Sequence, residues 1–355
     1  MKDQLQSVQI LRAIAALAVV AFHFAQSLAI DFKLIPMDSF TMGADGVDIF
    51  FVISGFIMAY TTAREDQRSP GEFAWKRLVR IVPLYWVLTL AVFAIGIVAP
   101  TLLNSGGATW EELGKSLAFI PYERTDGRIQ PVLFLGWTLN YEMFFYAVFT
   151  VALLLAPRWR LQVVVGVMVL MAAIGYAYPG DLGVLGRFYT NGIILEFVWG
   201  CLLFVAWNRW PDRLRTIAPI WILGTALLLL QNFWNVPLQR EIEKGLPALM
   251  IVAGVLALTV KDGAISRPFR TIGDASYSLY LGHPYAIGLC VKLSVALLGA
   301  TVLGALVAGT LTLAVSVAAA LLSFHLLEKP SNTVLRGLWP ARRRSPLKPA
   351  IPPAE

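Results

Sequence analysis

Apolar stretches of about twenty residues recur from one end of this chain to the other. That recurrence limits the possible folds more than any single motif does. A helix needs roughly 20 largely apolar residues to cross the hydrocarbon of a bilayer. Ten stretches meet this need: 10–30, 44–62, 82–100, 135–156, 161–178, 188–207, 217–234, 246–260, 275–297 and 302–327. Asn232, Trp234 and Asn235 blur the end of the seventh, and the eighth is short. Only 14% of the 355 residues are charged, against about a quarter in soluble domains. A soluble surface needs that missing charge, whereas a lipid-facing one must be apolar, with backbone groups satisfied inside helices. The expected fold is all-α: a polytopic transmembrane bundle of about ten spans.

Prolines such as Pro36, Pro70, Pro100, Pro157, Pro179, Pro211, Pro237 and Pro268 punctuate the intervening loops. With the N-terminus in the cytoplasm, 20 Lys and Arg fall in cytoplasmic segments and 7 in outer ones. The positive-inside rule therefore places both termini in the cytoplasm. The net charge of +7 is spread between apolar runs, which argues for topology and against nucleic acid as a partner. Residues 1–335 read as one transmembrane domain, and 336–355 as a basic, Pro-rich cytoplasmic tail expected to be disordered. Cys201 and Cys290 sit singly in apolar runs and read as small hydrophobes. Lys2 followed by Ser27-Leu28-Ala29 has the outline of a cleavable signal. Arg12 and His23 interrupt that run and many spans follow, so it is read as a retained span.

Ionisable residues at membrane depth are costly to bury and are functional candidates. Arg12 and His23 are eleven residues apart, about three helical turns plus 20°, so they share one face with an axial separation of about 16 Å. An anion-binding group near the cytoplasm and a base toward the outer side thus lie on one line. Against this stands a snorkelling arginine and a histidine bonded to a neighbouring helix, and spacing alone leaves the two readings even. Asp48, Glu142 and Glu196 fall in the same broad layer as His23 and are candidate partners for its ring. Asp48 also suits a helix start, where negative charge is favoured. Arg77 and Arg80, three apart, share a helical face suited to phosphate, though simple positive-inside charge gives the same pattern. His283 precedes Pro284, which can kink its helix, and serves either a site or a helix contact. His325 and Lys292 read as interfacial. The three histidines have no metal-ligand spacing, so no metal is expected.

The ordered set of motifs resembles the acyltransferase 3 family of membrane O-acyltransferases over nearly the whole chain. It comprises Leu11-Arg12-Ala13 with His23, Gly46-Val47-Asp48 through Ser54-Gly55-Phe56, and Arg77-Leu78-Val79-Arg80 with Pro83. Trp137 to Tyr146 around Glu142, Ser276 to His283 through Tyr280, and Glu328-Lys329-Pro330 complete it. The opening Ser7 to Ala13 is similar to the exopolysaccharide-production ExoZ branch of that family. The resemblance implies a multi-pass protein of the bacterial inner membrane. It implies an acyl-CoA donor, with acetyl-CoA foremost, and a glycan hydroxyl as acceptor, lipid-linked or not. Membrane lipid and polysaccharide-synthesis proteins are the implied partners.

Carried onto this chain, the resemblance implies Arg12 with His23 and Arg77 with Arg80 as functional elements; His23 and, from its own layer, Glu142 and Asp48 are the catalytic candidates. Arg12, Arg77 and Arg80 become donor-binding candidates, with Ser54, Glu196, Tyr280 and His283 as support. On this reading His23 deprotonates the hydroxyl, Glu142 or Asp48 orients the ring, and an acyl-histidine is an alternative route. Many relatives carry an extra extracytoplasmic domain that this chain does not show. A transporter or a scaffold in a polysaccharide-synthesis complex are the competing classes. Buried ionisable groups also mark transport paths, but the internal repeats common in transporters are not seen.

Overall fold

The computed structural model describes residues 2–37, 39–64, 69–100, 107–180, 182–231 and 238–339. Among these residues there is no strand, only an isolated bridge between Glu123 and Ile129. The chain runs through α1 (Lys2–Ile30), α2 (Gly46–Arg64), α3 (Pro70–Val98) and the short α4 (Trp110–Leu117). There follow α5 (Trp137–Ala152), α6 (Pro157–Ala177), α7 (Gly183–Tyr189), α8 (Leu195–Arg209), α9 (Pro211–Thr216) and α10 (Ile220–Leu230). The last third holds α11 (Arg240–Glu243), α12 (Gly245–Ala257), α13 (Ser266–Asp274), α14 (Ser276–Leu298), α15 (Val302–Ser323) and α16 (Lys329–Gly337).

Among the described residues, seven segments are long and apolar enough to cross a membrane. They hold α1, α2, α3, α6, α7 with α8, α14, and α15 with α16. The three other expected spans correspond to the shorter helices α5, α10 and α12. At about 1.5 Å per residue these are too short for a straight crossing of about 30 Å. The far end of the seventh expected span lies outside the described residues, as do tail residues 340–355.

Local chemistry sets the helix starts. Ser69 accepts a hydrogen bond from the Glu72 amide at 3.1 Å, and Pro70 supplies the first helical position of α3. Thr109 and Glu112 form a reciprocal capping box on α4. Thr301 caps α15 by accepting from the Gly304 amide at 3.0 Å. The turn before it passes through Gly299 at φ 71°, a left-handed conformation that glycine adopts without strain. The turn lets α14 and α15 fold back on each other as a pair.

The outside of this bundle is apolar. Val302, Leu303 and Leu306 on α15 are each more than 60% exposed, and Trp86, Val87 and Leu90 on α3 more than 40%. Apolar surface on that scale suits lipid, not water. The interior is aromatic, with Phe56, Phe73, Tyr85, Phe145, Phe149 and Phe197 fully buried. The enclosed helix is α2: 72% of its span is buried, against 17% for α6 at the edge. It is held by a backbone-to-backbone crossing with α8. A Cβ on Gly200 would lie 2.1 Å from the Val52 carbonyl, and one on Gly55 2.1 Å from the Phe197 carbonyl. Hydrophobic driving forces between helices vanish in lipid, so close packing of small residues is what joins them. This crossing fixes Asp48 and Ser54 relative to Glu196.

Candidate active site

Five helices enclose a cavity of about 270 Å³. Arg12 of α1, Ser54 of α2, Arg80 of α3, Glu142 and Tyr146 of α5, and Tyr277 and Tyr280 of α14 line it, among apolar neighbours such as Phe50, Ile57 and Leu139. Arg12 reaches this wall because α1 is anchored at its inner turn. A Cβ on Gly273 would lie 2.0 Å from the Gln9 carbonyl, so α13 presses directly on the α1 backbone. Gln9 in turn accepts from the Arg12 guanidinium at 3.0 Å.

Glu142 is the polar centre of the cavity. Its Oε1 accepts from the Ser54 hydroxyl at 3.3 Å and from the Tyr146 hydroxyl one helical turn on. Arg12 and Arg80 interact electrostatically with each other and with both Glu142 and Glu328. Glu328 is buried and accepts from Ser278 at 2.8 Å. It enters the site from the π-helical turn Phe324–Glu328. Arg77 is buried one turn from Arg80, with its guanidinium 5.3 Å from the Phe73 ring and 5.8 Å from the Tyr146 ring. It supports Tyr146 from behind and does not line the cavity. The expected shared face of Arg77 and Arg80 exists, but only Arg80 opens onto the space.

His23 meets His283. Nδ1 of His23 lies 3.0 Å from Nε2 of His283 and 3.0 Å from the Val19 carbonyl. Nδ1 of His283 lies 3.1 Å from the Leu279 carbonyl. A carbonyl only accepts, so Nδ1 of His283 carries a proton and, in the neutral ring, its Nε2 is an acceptor. Nδ1 of His23 faces two acceptors and must also carry its proton. The lone pair of His23 is thereby left on Nε2. Pro284 follows directly and cannot donate to the carbonyl of Tyr280, which loosens the helix at this level. The expected carboxylate partner of His23 is thus replaced by a second imidazole, because Glu142 is bonded to Ser54 and Tyr146, and Asp48 to an arginine. His23 does not line the cavity. Tyr280 does, and its ring stands 6.2 Å from that of His283 while its hydroxyl accepts from Thr138 at 3.2 Å.

Asp48 and Glu196 form a separate cluster. Both are fully buried in the first turns of α2 and α8, where the helix dipole favours negative charge. Arg240 lies 3.0 Å from Asp48 and 3.7 Å from Glu196. Asp45, also buried, pairs with Lys244 at 3.0 Å and accepts from Gln231 at 2.5 Å. The layer of ionisable groups expected from depth alone therefore divides into two, because depth says nothing about which way a helix faces. His325 is exposed and turned back to the Leu321 carbonyl at 2.8 Å, and Lys292 is exposed as well.

Several site residues escaped the sequence reading. Tyr146 carried a usable signal, standing four residues after Glu142 on one helix. Glu328 did not, because a π-helical turn breaks the 3.6-residue phase on which facing is judged. Arg240 carries no local signal, being one of the seven basic residues of the outer segments.

Comparison with known proteins agrees with this architecture. The acyltransferase 3 family model, an acyltransferase domain, matches residues 5–321. The exopolysaccharide production protein ExoZ of Rhizobium meliloti is 39% identical over 82% of this chain and 90% of its own length. The putative membrane-bound transacylase BcsY of Komagataeibacter xylinus is 26% identical over 92% of this chain and 83% of its own. The peptidoglycan O-acetyltransferase OatA of Listeria monocytogenes is 25% identical over 78% of this chain, which spans 48% of that protein. No solved structure matches the chain. With a family match along most of its length and a bundle of apolar spans around a polar cavity, the chain belongs to the acyltransferase 3 family and is a multi-pass membrane O-acyltransferase of bacterial type.

Proposed function

We propose that the protein transfers an acyl group, acetyl foremost, from acyl-CoA to a hydroxyl of an exopolysaccharide or other cell-surface glycan. The observation that carries this reading is the His23–His283 pair set beside a cavity that holds two guanidiniums. The family match supports acyl transfer, and the likeness to ExoZ supports a polysaccharide acceptor.

In this mechanism Arg12 and Arg80 bind phosphate of the donor at the cytoplasmic end of the cavity. Its narrow volume, about 270 Å³, suits the thin pantetheine arm while the nucleotide stays outside. The thioester is delivered past Tyr280 toward His23. Nε2 of His23 takes the proton of the acceptor hydroxyl, and the oxygen attacks the thioester carbonyl. The carbon–sulfur bond breaks, and the imidazolium returns its proton to the departing thiolate. His283 steadies the protonated ring through the hydrogen bond on Nδ1. Glu142 holds Tyr146 and Ser54 and offsets the arginine charge when the donor is absent.

The direct test is acetyl-CoA consumption and labelled acetyl transfer to the native glycan by purified protein in nanodiscs. Gradient-coupled solute flux without thioester consumption would replace this reading with transport. Arg80→Ala is expected to raise KM for acetyl-CoA about tenfold or more, with kcat changed less, since a charged hydrogen bond contributes about 1.5–3 kcal/mol. An unchanged KM would remove Arg80 from the donor site. His283→Phe is expected to lower kcat by roughly 10- to 100-fold, the usual cost of losing an orienting partner. His283→Gln, whose amide oxygen can accept from Nδ1 of His23, restores part of it, and KM for acetyl-CoA holds in both. Equal activity in the Phe and Gln variants would show that His283 serves packing alone.

A further inference from the structure

A second cavity, of about 280 Å³, lies where the C-terminal end of α6 meets α7 and α11. It shares no lining residue with the first. Tyr176, Tyr178, Asn191, Gln239, Arg240 and Glu241 contribute its aromatic and polar walls. This composition differs from the exposed apolar flanks of α3 and α15. We propose that this cavity is a sugar-binding subsite that takes a neutral glycosyl residue of the acceptor; this rests on the reading of the acceptor as a glycan.

The chemistry of the walls supports a polyol over an anion. Both guanidiniums that reach the cavity are already neutralised. Arg240 has the buried carboxylates of Asp48 and Glu196 against it, and Arg187 is bonded to Glu123 at 2.6 Å. Each therefore offers N–H donors without an unpaired positive charge. Glu241 adds a carboxylate that would repel phosphate. Hydroxyl groups both donate and accept, and the Asn191 and Gln239 amides can answer in both senses. Asn191 Oδ1 accepts from the Ile193 amide at 3.0 Å, leaving its NH2 to donate. Tyr178 is 58% exposed, and its ring offers an apolar face of the kind sugars pack against through their C–H groups.

The cavity is built, not incidental. Tyr176 donates to Glu241, whose side chain is 6% exposed as a residue. Trp199 of α8 donates to the Glu241 carbonyl at 3.3 Å. A Cβ on Gly192 would lie 2.1 Å from the Tyr176 hydroxyl and 2.5 Å from Glu241 Oε2, so the 190–192 turn packs directly on this pair, and a side chain there would have to push both ends aside. Arg240 lines the second cavity and pairs with Asp48, the residue after Val47, which lines the first. In the ten-span positive-inside topology expected from the sequence, this end of α6 faces away from the cytoplasm, where an exported glycan is found. The donor would then enter from one side and the acceptor be gripped on the other.

The test reads binding without acyl transfer. Saturation-transfer difference NMR is recorded on the full-length protein in nanodiscs, with cellotetraose and maltotetraose as probes and no acetyl-CoA. Saturation transfer to at least one probe is expected for the wild type and for His23→Ala. Tyr178→Ala combined with Gln239→Ala is expected to weaken it about tenfold or more, while acceptor-independent hydrolysis of acetyl-CoA stays at the wild-type rate. Binding unchanged in the double variant, no transfer to either probe in the wild type, or displacement of the probe by inorganic phosphate would each overturn the subsite. Loss of acetyl transfer as an activity, with sugar binding intact, would instead count against the proposed function alone.

Discussion

His23→Ala is expected to lower kcat for acetyl transfer by about 10²–10⁴-fold, the range ascribed to a positioned general base. The reasoning is geometric. Its Nδ1 is committed to Val19 and His283, so the free lone pair sits on Nε2. No other imidazole nitrogen at this level is available, since both nitrogens of His283 are engaged. The fold should tolerate the change. His23 is only partly buried, and α1 keeps its contacts through Ala13, Ala15, Ala16 and Val19, all nearly inaccessible. Thermal unfolding in nanodiscs should therefore shift little, and KM for acetyl-CoA should hold because Arg12 and Arg80 are untouched. Full activity in the variant would remove His23 from the chemistry and leave the histidine pair as a helix contact.

The largest structural effect is expected at the α2–α8 crossing. Gly200→Leu places a side chain where even Cβ would lie 2.1 Å from the Val52 carbonyl and 2.6 Å from the Phe56 amide nitrogen. Both neighbours are backbone in the middle of a helix, so neither can rotate away. The helices must separate, at a cost of about 3 kcal/mol or more, the upper range for overpacking. Separation would also carry Asp48 away from Glu196, leaving Arg240 unable to serve both carboxylates. The expected readout is loss of monodisperse protein in detergent, with activity lost alongside. Gly166→Ala on α6 is the control: a Cβ there meets nothing within 4 Å, and stability should hold. Equal behaviour of the two variants would show that the crossing is looser than its geometry implies.

Much of the architecture was legible because lipid imposes one rule on every residue that faces it. Runs of twenty apolar residues follow directly from that rule, and the motifs around Arg12, His23, Arg80 and Glu142 fell on helices as expected. The short helices were the difficult part. The stretches containing α5, α10 and α12 have the composition of spans without the helical length, since composition reports burial in something apolar and not whether that is lipid or protein. Pairing was harder still. His23 lies seven residues from the end of α1 and His283 seven from the start of α14, so counting along each helix puts them at different depths. They touch because α1 extends well past the start of α14 on the Arg12 side, an offset set by the pressing of Gly273 on Gln9.

The sequence by itself determined a membrane bundle, an acyltransferase family and a line from Arg12 to His23 on one helical face. Those are properties of composition, order and period, which are read along the chain without reference to how its segments pack. Only the tertiary structure decided that His283 is the partner of His23, that Glu142 meets Ser54, and that Asp48 and Glu196 answer to Arg240. Each of those is a choice between helices. Such choices rest on rotation and offset fixed by close backbone packing, which no periodicity within one segment encodes.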